Sequence, residues 1–246
     1  MSTSDQDFSS IIEDAKSNYE IYFQNQKDFE KPRCDISIEE EIDGKTKVLI
    51  RVQYKDTDYQ FRSIEENDVN DIYQYLNSQP SVREKYNDGN TISFQATKER
   101  VNTLVQRFRD KTSSTYLYSG FILSDFQTNM FIGLANIGIG PGQGISEIAF
   151  LNRSQCWSHY NNNNTVNKVY SGVGTVETCA LLEYAKILKE KGYRLNGHPL
   201  EAVVAFSRID NEGSWKACAK AGMRLHSIEV VDRYGNKLRY HLRKDI

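Results

Sequence analysis

No apolar run in this 246-residue chain approaches the roughly 18 to 20 residues of a membrane-spanning helix. The polar start, residues 1–8, also lacks the basic and apolar regions of a secretory signal. A cytoplasmic protein with no membrane partner is expected. Excess positive charge is missing too: 31 Lys and Arg against 33 Asp and Glu give a formal net charge of -2. That leaves no general field for phosphate backbones and argues against nucleic acid as a partner.

Cysteines are few and scattered. Cys34, Cys156, Cys179 and Cys218 include no Cys-x-x-Cys pair, which suits reduced thiols rather than a disulfide framework. Cys156 and His159 lie three apart, but no second Cys/His pair stands at metal-ligand spacing, so no metal is expected. No cysteine carries the signature of a nucleophile with a nearby His and an orienting Asn or Asp. The glycines at 172 and 174 are not followed by the Gly-Lys-Ser or Gly-Lys-Thr that closes a Walker loop, and no internal repeat is visible.

What is present is the ordinary material of a globular protein: 39% hydrophobic, 11% aromatic and 26% charged residues. The length allows one large domain, or a medium one with an extension. Phe8, Ile11, Ile12, Ala15, Tyr19 and Tyr22 recur at helical steps, with Ser4 or Asp5 as cap. Residues 35–42 and 45–54, rich in Ile and Val and separated by Asp43-Gly44, predict a hairpin. A strand at 59–64 and helices at 65–77 and 97–111 follow, then strands at 115–123, 131–139 and 144–151. A helix at 175–191, a strand at 202–206, a helix at 211–220 and a terminal hairpin over 226–243 complete a mixed α/β pattern. The Asn-rich tract 161–164 reads as part of an exposed loop.

Ser171, Gly172, Val173, Gly174 and Thr175 stand directly before the clearest helix of the chain. Consecutive backbone N–H groups at such a helix start suit a pyrophosphate, glycines admit close approach, and Thr175 is placed to cap. A dinucleotide fold would want Gly-x-Gly-x-x-Gly early in a parallel array, whereas these glycines follow three meandering strands.

The surrounding residues narrow the choice. Phe131-Ile132-Gly133, Glu147-Ile148-Ala149-Phe150, Trp157, Gly172-Val173-Gly174-Thr175-Val176-Glu177 and Ala180-Leu181 resemble the central motif of the GNAT acetyltransferases. The resemblance is greatest to their ribosomal-protein N-acetyltransferase branch. It continues through Lys191-Gly192-Tyr193, Asn211, Ser214 and Lys220-Ala221-Gly222-Met223, from about residue 59 to the C-terminus. It implies a GNAT-like domain over 57–246, with a mixed, largely antiparallel sheet flanked by helices. Residues 1–56 would form a helix and hairpin extension.

The resemblance also implies acetyl-CoA as acyl donor and an amine as acceptor. It assigns Ser171, Gly172, Val173, Gly174 and Thr175 to the pyrophosphate, Phe150 and Leu151 to the pantetheine arm, and Asn211 with Ser214 to the cofactor. Three positions depart from the family pattern. Val169 stands where a Gln or Arg is usual, Cys218 where many relatives have Tyr, and 13 residues, 158–170, separate Trp157 from the loop.

The reaction needs a neutral amine, an oxyanion donor and a proton for the departing thiolate. At pH 7 roughly a tenth of an α-amino group is neutral, against about one part in 2,500 of a lysine. Glu147, on the strand approaching the loop, is the best-placed carboxylate for the base, and a backbone N–H near Phe150 or Leu151 for the oxyanion. No acid stands out. Two other readings remain open: a GNAT-like module that binds coenzyme A with weak or no turnover, and a scaffold that docks partners through its extension.

Overall fold

The computed structural model describes residues 3–26, 29–157 and 170–246. Strands β1 (Arg33–Glu40), β2 (Thr46–Tyr54), β3 (Thr57–Ser63), β4 (Gly120–Asp125), β5 (Phe131–Ile139) and β6 (Ile145–Asn152) form one antiparallel meander. In β2 the residues Thr46, Val48, Ile50 and Val52 are buried while Lys47, Arg51 and Gln53 are exposed, the period-two pattern of a strand with one covered face. At the turn before it, Gly44 N–H donates to Glu41 O (2.9 Å) and Lys45 N–H to Asp43 Oδ1 (3.0 Å). β2 bonds to β3 on its other edge, so the N-terminal hairpin is continuous with the central sheet. β4, buried along its whole length, is the interior of this half.

The direction changes after β6. A helical crossover leads through a short hairpin, β7 (Arg194–Leu195) and β8 (His198–Pro199), into β9 (Ala202–Arg208), which pairs parallel to β6. β10 (Arg224–Val231) and β11 (Lys237–Asp245) close the chain, giving a nine-stranded sheet in the order β1-β2-β3-β4-β5-β6-β9-β11-β10.

The helices are α1 (Thr3–Gln24), the short α2 (Val69–Ile72) and α3 (Pro80–Arg83), α4 (Phe94–Gln106), α5 (Val173–Glu190) and α6 (Glu212–Lys220). α5 crosses from β6 to β9 and packs on β1, β2, β5 and β6; α6 packs on α5, β9 and α1. α6 ends where Gly222, at φ +83°, lets Met223 N–H turn back to Cys218 O (3.1 Å). Tyr19 O–H donates to Met223 O (2.8 Å) and Tyr240 O–H to Ala15 O (2.9 Å), fixing α1 against α6 and the far strands.

Several local expectations change. α1 begins at Thr3, so Ser4 and Asp5 lie within it rather than capping it, and Ile11 is 44% exposed while Ala15 and Tyr19 carry the buried face. Residues 65–77 are not one helix but a 3₁₀ turn, α2 and a π turn over Tyr73–Asn77. The π turn closes with Ser78 N–H on Tyr73 O (2.9 Å), and Asn77 turns inward to donate to Thr97 Oγ1 (3.0 Å). α4 starts earlier than its apolar stripe because Ser93 Oγ accepts from Ala96 N–H (3.2 Å). The strand expected from residue 115 begins only at Gly120, since Leu117 takes φ +70° and residues 113–118 form turns. The Asn-rich tract lies outside the described residues.

Candidate functional site

Parallel pairing of β6 with β9 covers only Ile145 with Ala202, Ser146 with Val203 and Glu147 with Val204. Beyond Glu147 the strands part, and the β9-facing edge of residues 148–152 opens on a cleft of about 890 Å³. This cleft is lined by β6, the start of α5, the end of β9, α6 and the 81–87 segment.

The glycine loop forms one end. Gly172 is the N-cap of α5 with φ +77°, a left-handed conformation that glycine adopts without strain. The first helical bonds run from Thr175 N–H (2.9 Å) and Val176 N–H (3.0 Å) to Gly172 O, so those of Val173 and Gly174 precede the helical ladder. A Cβ on Gly174 would sit 3.2 Å from Ala217 Cβ and 3.3 Å from the Phe150 ring. One on Gly172 would lie 2.9 Å from Tyr54. The loop is therefore a close approach of α5, α6 and β6 with room for backbone only. Thr175 is not the cap: it is buried in the first turn, and the cap position belongs to Gly172.

Gly172, Val173, Gly174 and Thr175 line the cleft together with Phe150, Leu151, Asn211 and Ser214. Ser171 stands just outside, its Oγ accepting from Lys55 Nζ at 3.5 Å. Asn211 is the N-cap of α6 without a side-chain capping bond, and Ser214 N–H donates to Asn211 O (3.0 Å). The Ser214 side chain is thus not what closes this helix start.

Glu147 occupies the point where the strands part. Its Oε1 accepts from the phenol of Tyr234, a residue of the turn between β10 and β11 that the sequence reading placed only in a hairpin. Arg239, nearly fully buried, lies over the Tyr234 ring (4.9 Å) and donates to Asn87 O (2.6 Å) and Tyr234 O (3.2 Å). Arg208 binds Asp210 and donates to Glu84 O (2.9 Å), and Lys85 donates to Asp210 O (3.0 Å), so the 84–87 segment is tied to the far wall of the cleft. Tyr234 and Arg239 had no sequence signal beyond their types; only tertiary pairing brings them to Glu147.

The cleft also reaches Cys156, Trp157 and Cys218. Burial pushes the Cys156 thiol up to about 11 and the Cys179 and Cys218 thiols up to about 12, so all three are neutral near pH 7. All four cysteines are unpaired. Glu177, fully buried on α5, accepts from Asn152 Nδ2 (2.7 Å), and burial holds its carboxyl well above the usual range. Its Oε1 and Asn152 Oδ1 have no hydrogen-bond partner among the described residues. Among the described residues no group of three or more His, Cys, Asp or Glu is placed to hold a metal, and no helix is long and apolar enough to cross a membrane. Val169, His159 and the rest of 158–169 lie outside the described residues, while Tyr170, the last residue of the 158–170 insertion, is buried and donates to Asp125 Oδ2 (3.0 Å).

No protein-family model matches the sequence, and no curated protein matches it by sequence. Solved structures do match. A GNAT-family acetyltransferase from Bacillus anthracis is 17% identical, with a TM-score of 0.54 over 80% of this chain and 97% of its own. RimL, a ribosomal-protein alpha-N-acetyltransferase solved with coenzyme A, is 13% identical, with a TM-score of 0.56 over 80% of this chain and 98% of its own. RimJ of Mycobacterium smegmatis, in complex with a coenzyme A disulfide, is 11% identical, with a TM-score of 0.57 over 88% and 90%. The fold is that of the GNAT acetyltransferases, as the resemblance implied.

Proposed function

We propose that this protein is an N-acetyltransferase that passes an acetyl group from acetyl-CoA directly to an amine, on a protein N-terminus, a lysine or a small molecule. The observation that carries the reading is the parting of β6 from β9 at Glu147, which sets a carboxylate at one end of a cleft and a glycine loop at the other. Neighbours of the same fold solved with coenzyme A or acetyl-CoA support the donor.

The residues fit such a donor. Close packing at Gly172 and Gly174 keeps side chains out of the loop, leaving backbone N–H groups and the start of α5 for phosphate oxygens. The unpaired edge of β6 at Phe150 and Leu151 is an extended backbone that suits an amide-bearing arm. When bound, acetyl-CoA supplies an activated acyl carbonyl and a thiolate leaving group.

Glu147 takes the proton of the attacking amine, directly or through one water, and the Tyr234 phenol fixes its carboxylate orientation. Arg239 holds Tyr234 by its face and its carbonyl. A backbone N–H at Phe150 or Leu151 serves the oxyanion. Direct transfer is preferred because the thiols of Cys156 and Cys218, the cysteines that reach the cleft, are kept protonated by burial and are poor nucleophiles.

The test is release of free thiol from acetyl-CoA across a panel of N-terminal peptides, lysine peptides and small amines, with mass spectrometry of the acceptor. Acceptor-dependent thiol release matched by acetylated amine is expected. Binding of acetyl-CoA without release on any acceptor would instead favour a coenzyme-A-binding module.

A further inference from the structure

The glycine loop and Glu147 do not account for the whole cleft. From Glu147 to Asn152 the edge of β6 runs five residue steps, about 16 Å of extended strand. A donor with its thioester at Glu147 and its pyrophosphate at Gly172–Gly174 has its nucleoside still to seat, beyond the loop and away from Glu147. Tyr22, Lys216 and Lys220 line the same cleft. Ala217, between the two lysines on α6, is the residue whose Cβ approaches the Gly174 position.

This wall is built by α6 together with the N-terminal segment. Tyr22 of α1 meets Trp215 edge-on at 5.3 Å, and Lys216 Nζ lies 5.5 Å from the centre of the Tyr22 ring. Lys220 Nζ lies over Phe29 at 5.8 Å, and Phe29 in turn approaches Tyr54 at 6.2 Å. Tyr54 is the side chain packed against Gly172, and the neighbouring Lys55 reaches Ser171. Half-buried aromatic rings interleaved with ammonium groups offer a stacking face and countercharge together.

We infer that Tyr22 and the paired lysines Lys216 and Lys220 form the seat for the adenosine 3′-phosphate end of the donor, an inference that rests on the acetyl-CoA reading above. Adenine lies against Tyr22, and the 3′-phosphate draws Lys216 from its exposed helical pair with Glu212 (2.6 Å) and Lys220 from the Phe29 face. α6 thereby acts in donor selection, since a coenzyme lacking the 3′-phosphate is held less well, while Tyr22 of the N-terminal segment supplies a stacking face for either form.

Calorimetric titration of the full chain with coenzyme A and with dephospho-coenzyme A tests this. Wild type should prefer coenzyme A by about tenfold, and Lys216→Ala/Lys220→Ala should cut the preference to within about twofold. Tyr22→Ala should weaken both forms alike by roughly tenfold, and Tyr22→Phe should restore them. Melting temperatures of the variants identify any that fail to fold, and the lysine pair, whose substitution removes no buried side chain, keeps the test decisive where Tyr22→Ala does not fold. Equal binding of the two coenzymes by wild type, a preference that survives the double substitution, or unchanged affinity in Tyr22→Ala overturns the inference and leaves the donor reading standing. No binding of either coenzyme by wild type overturns the donor reading itself.

Discussion

The two ends of the cleft are made in opposite ways. At the loop end Gly172, Val173, Gly174 and Thr175 are consecutive, and what they present is backbone at a helix start. At the other end Glu147 meets Tyr234, 87 residues away, and Arg239 meets Asn87, 152 residues away. A phosphate cradle asks for conformation, which a short run of sequence encodes. A positioned carboxylate asks for side-chain partners, which only the assembled sheet supplies. Binding and turnover should therefore fail separately when each end is damaged.

Glu147→Gln breaks the comparison most sharply. Turnover should fall by about 10² to 10⁴, the usual contribution of a positioned base, while affinity for acetyl-CoA stays within about twofold. Steady-state kinetics beside a donor titration measures both, and a parallel loss of donor affinity would mean that the two ends are not separable. Tyr234→Phe probes the same end more gently. Loss of a hydrogen bond to a charged partner should lower turnover by about tenfold to a hundredfold without changing donor affinity.

The contrast also decides what was legible beforehand. The glycine loop, α5, the parallel crossover to β9 and the antiparallel meander follow from local signals: periodicity, the Asp43-Gly44 turn and the glycines before a long helix. The cap at Gly172 rather than Thr175 was hidden because a left-handed N-cap leaves no side-chain signature. Leu117 at φ +70° contradicts its own residue type, so a strand was expected where the chain turns. The π turn over Tyr73–Asn77 goes with a hydrogen bond from Asn77 to Thr97, 20 residues on, which no local window on the sequence contains. Tyr234 and Arg239 belong with these: a hairpin tip and a strand residue come to Glu147 only when β11 docks on β9.

Smaller effects sharpen the loop end. Burial holds the Glu177 carboxyl well above the usual range, so the folded protein keeps a proton that the unfolded chain releases above about pH 4.5. Its contribution to stability is full below that pH and is lost as pH rises towards the folded value. The melting temperature of Glu177→Gln relative to wild type should therefore climb as pH rises above about 5, and a pH-independent difference would count against a protonated Glu177. Tyr19→Phe, which leaves Met223 O without its buried donor, should cost about 1 kcal/mol by denaturant unfolding. No loss there would mean that this hydrogen bond adds nothing to the packing of α1.

If the glycine loop at the start of α5 seats the donor, calorimetric titration with acetyl-CoA should show saturable binding by wild type and a loss of at least about a hundredfold in Gly174→Glu. A glutamate there meets Ala217 and Phe150 and sets negative charge against phosphate. Equal affinity of two folded proteins would contradict that seating.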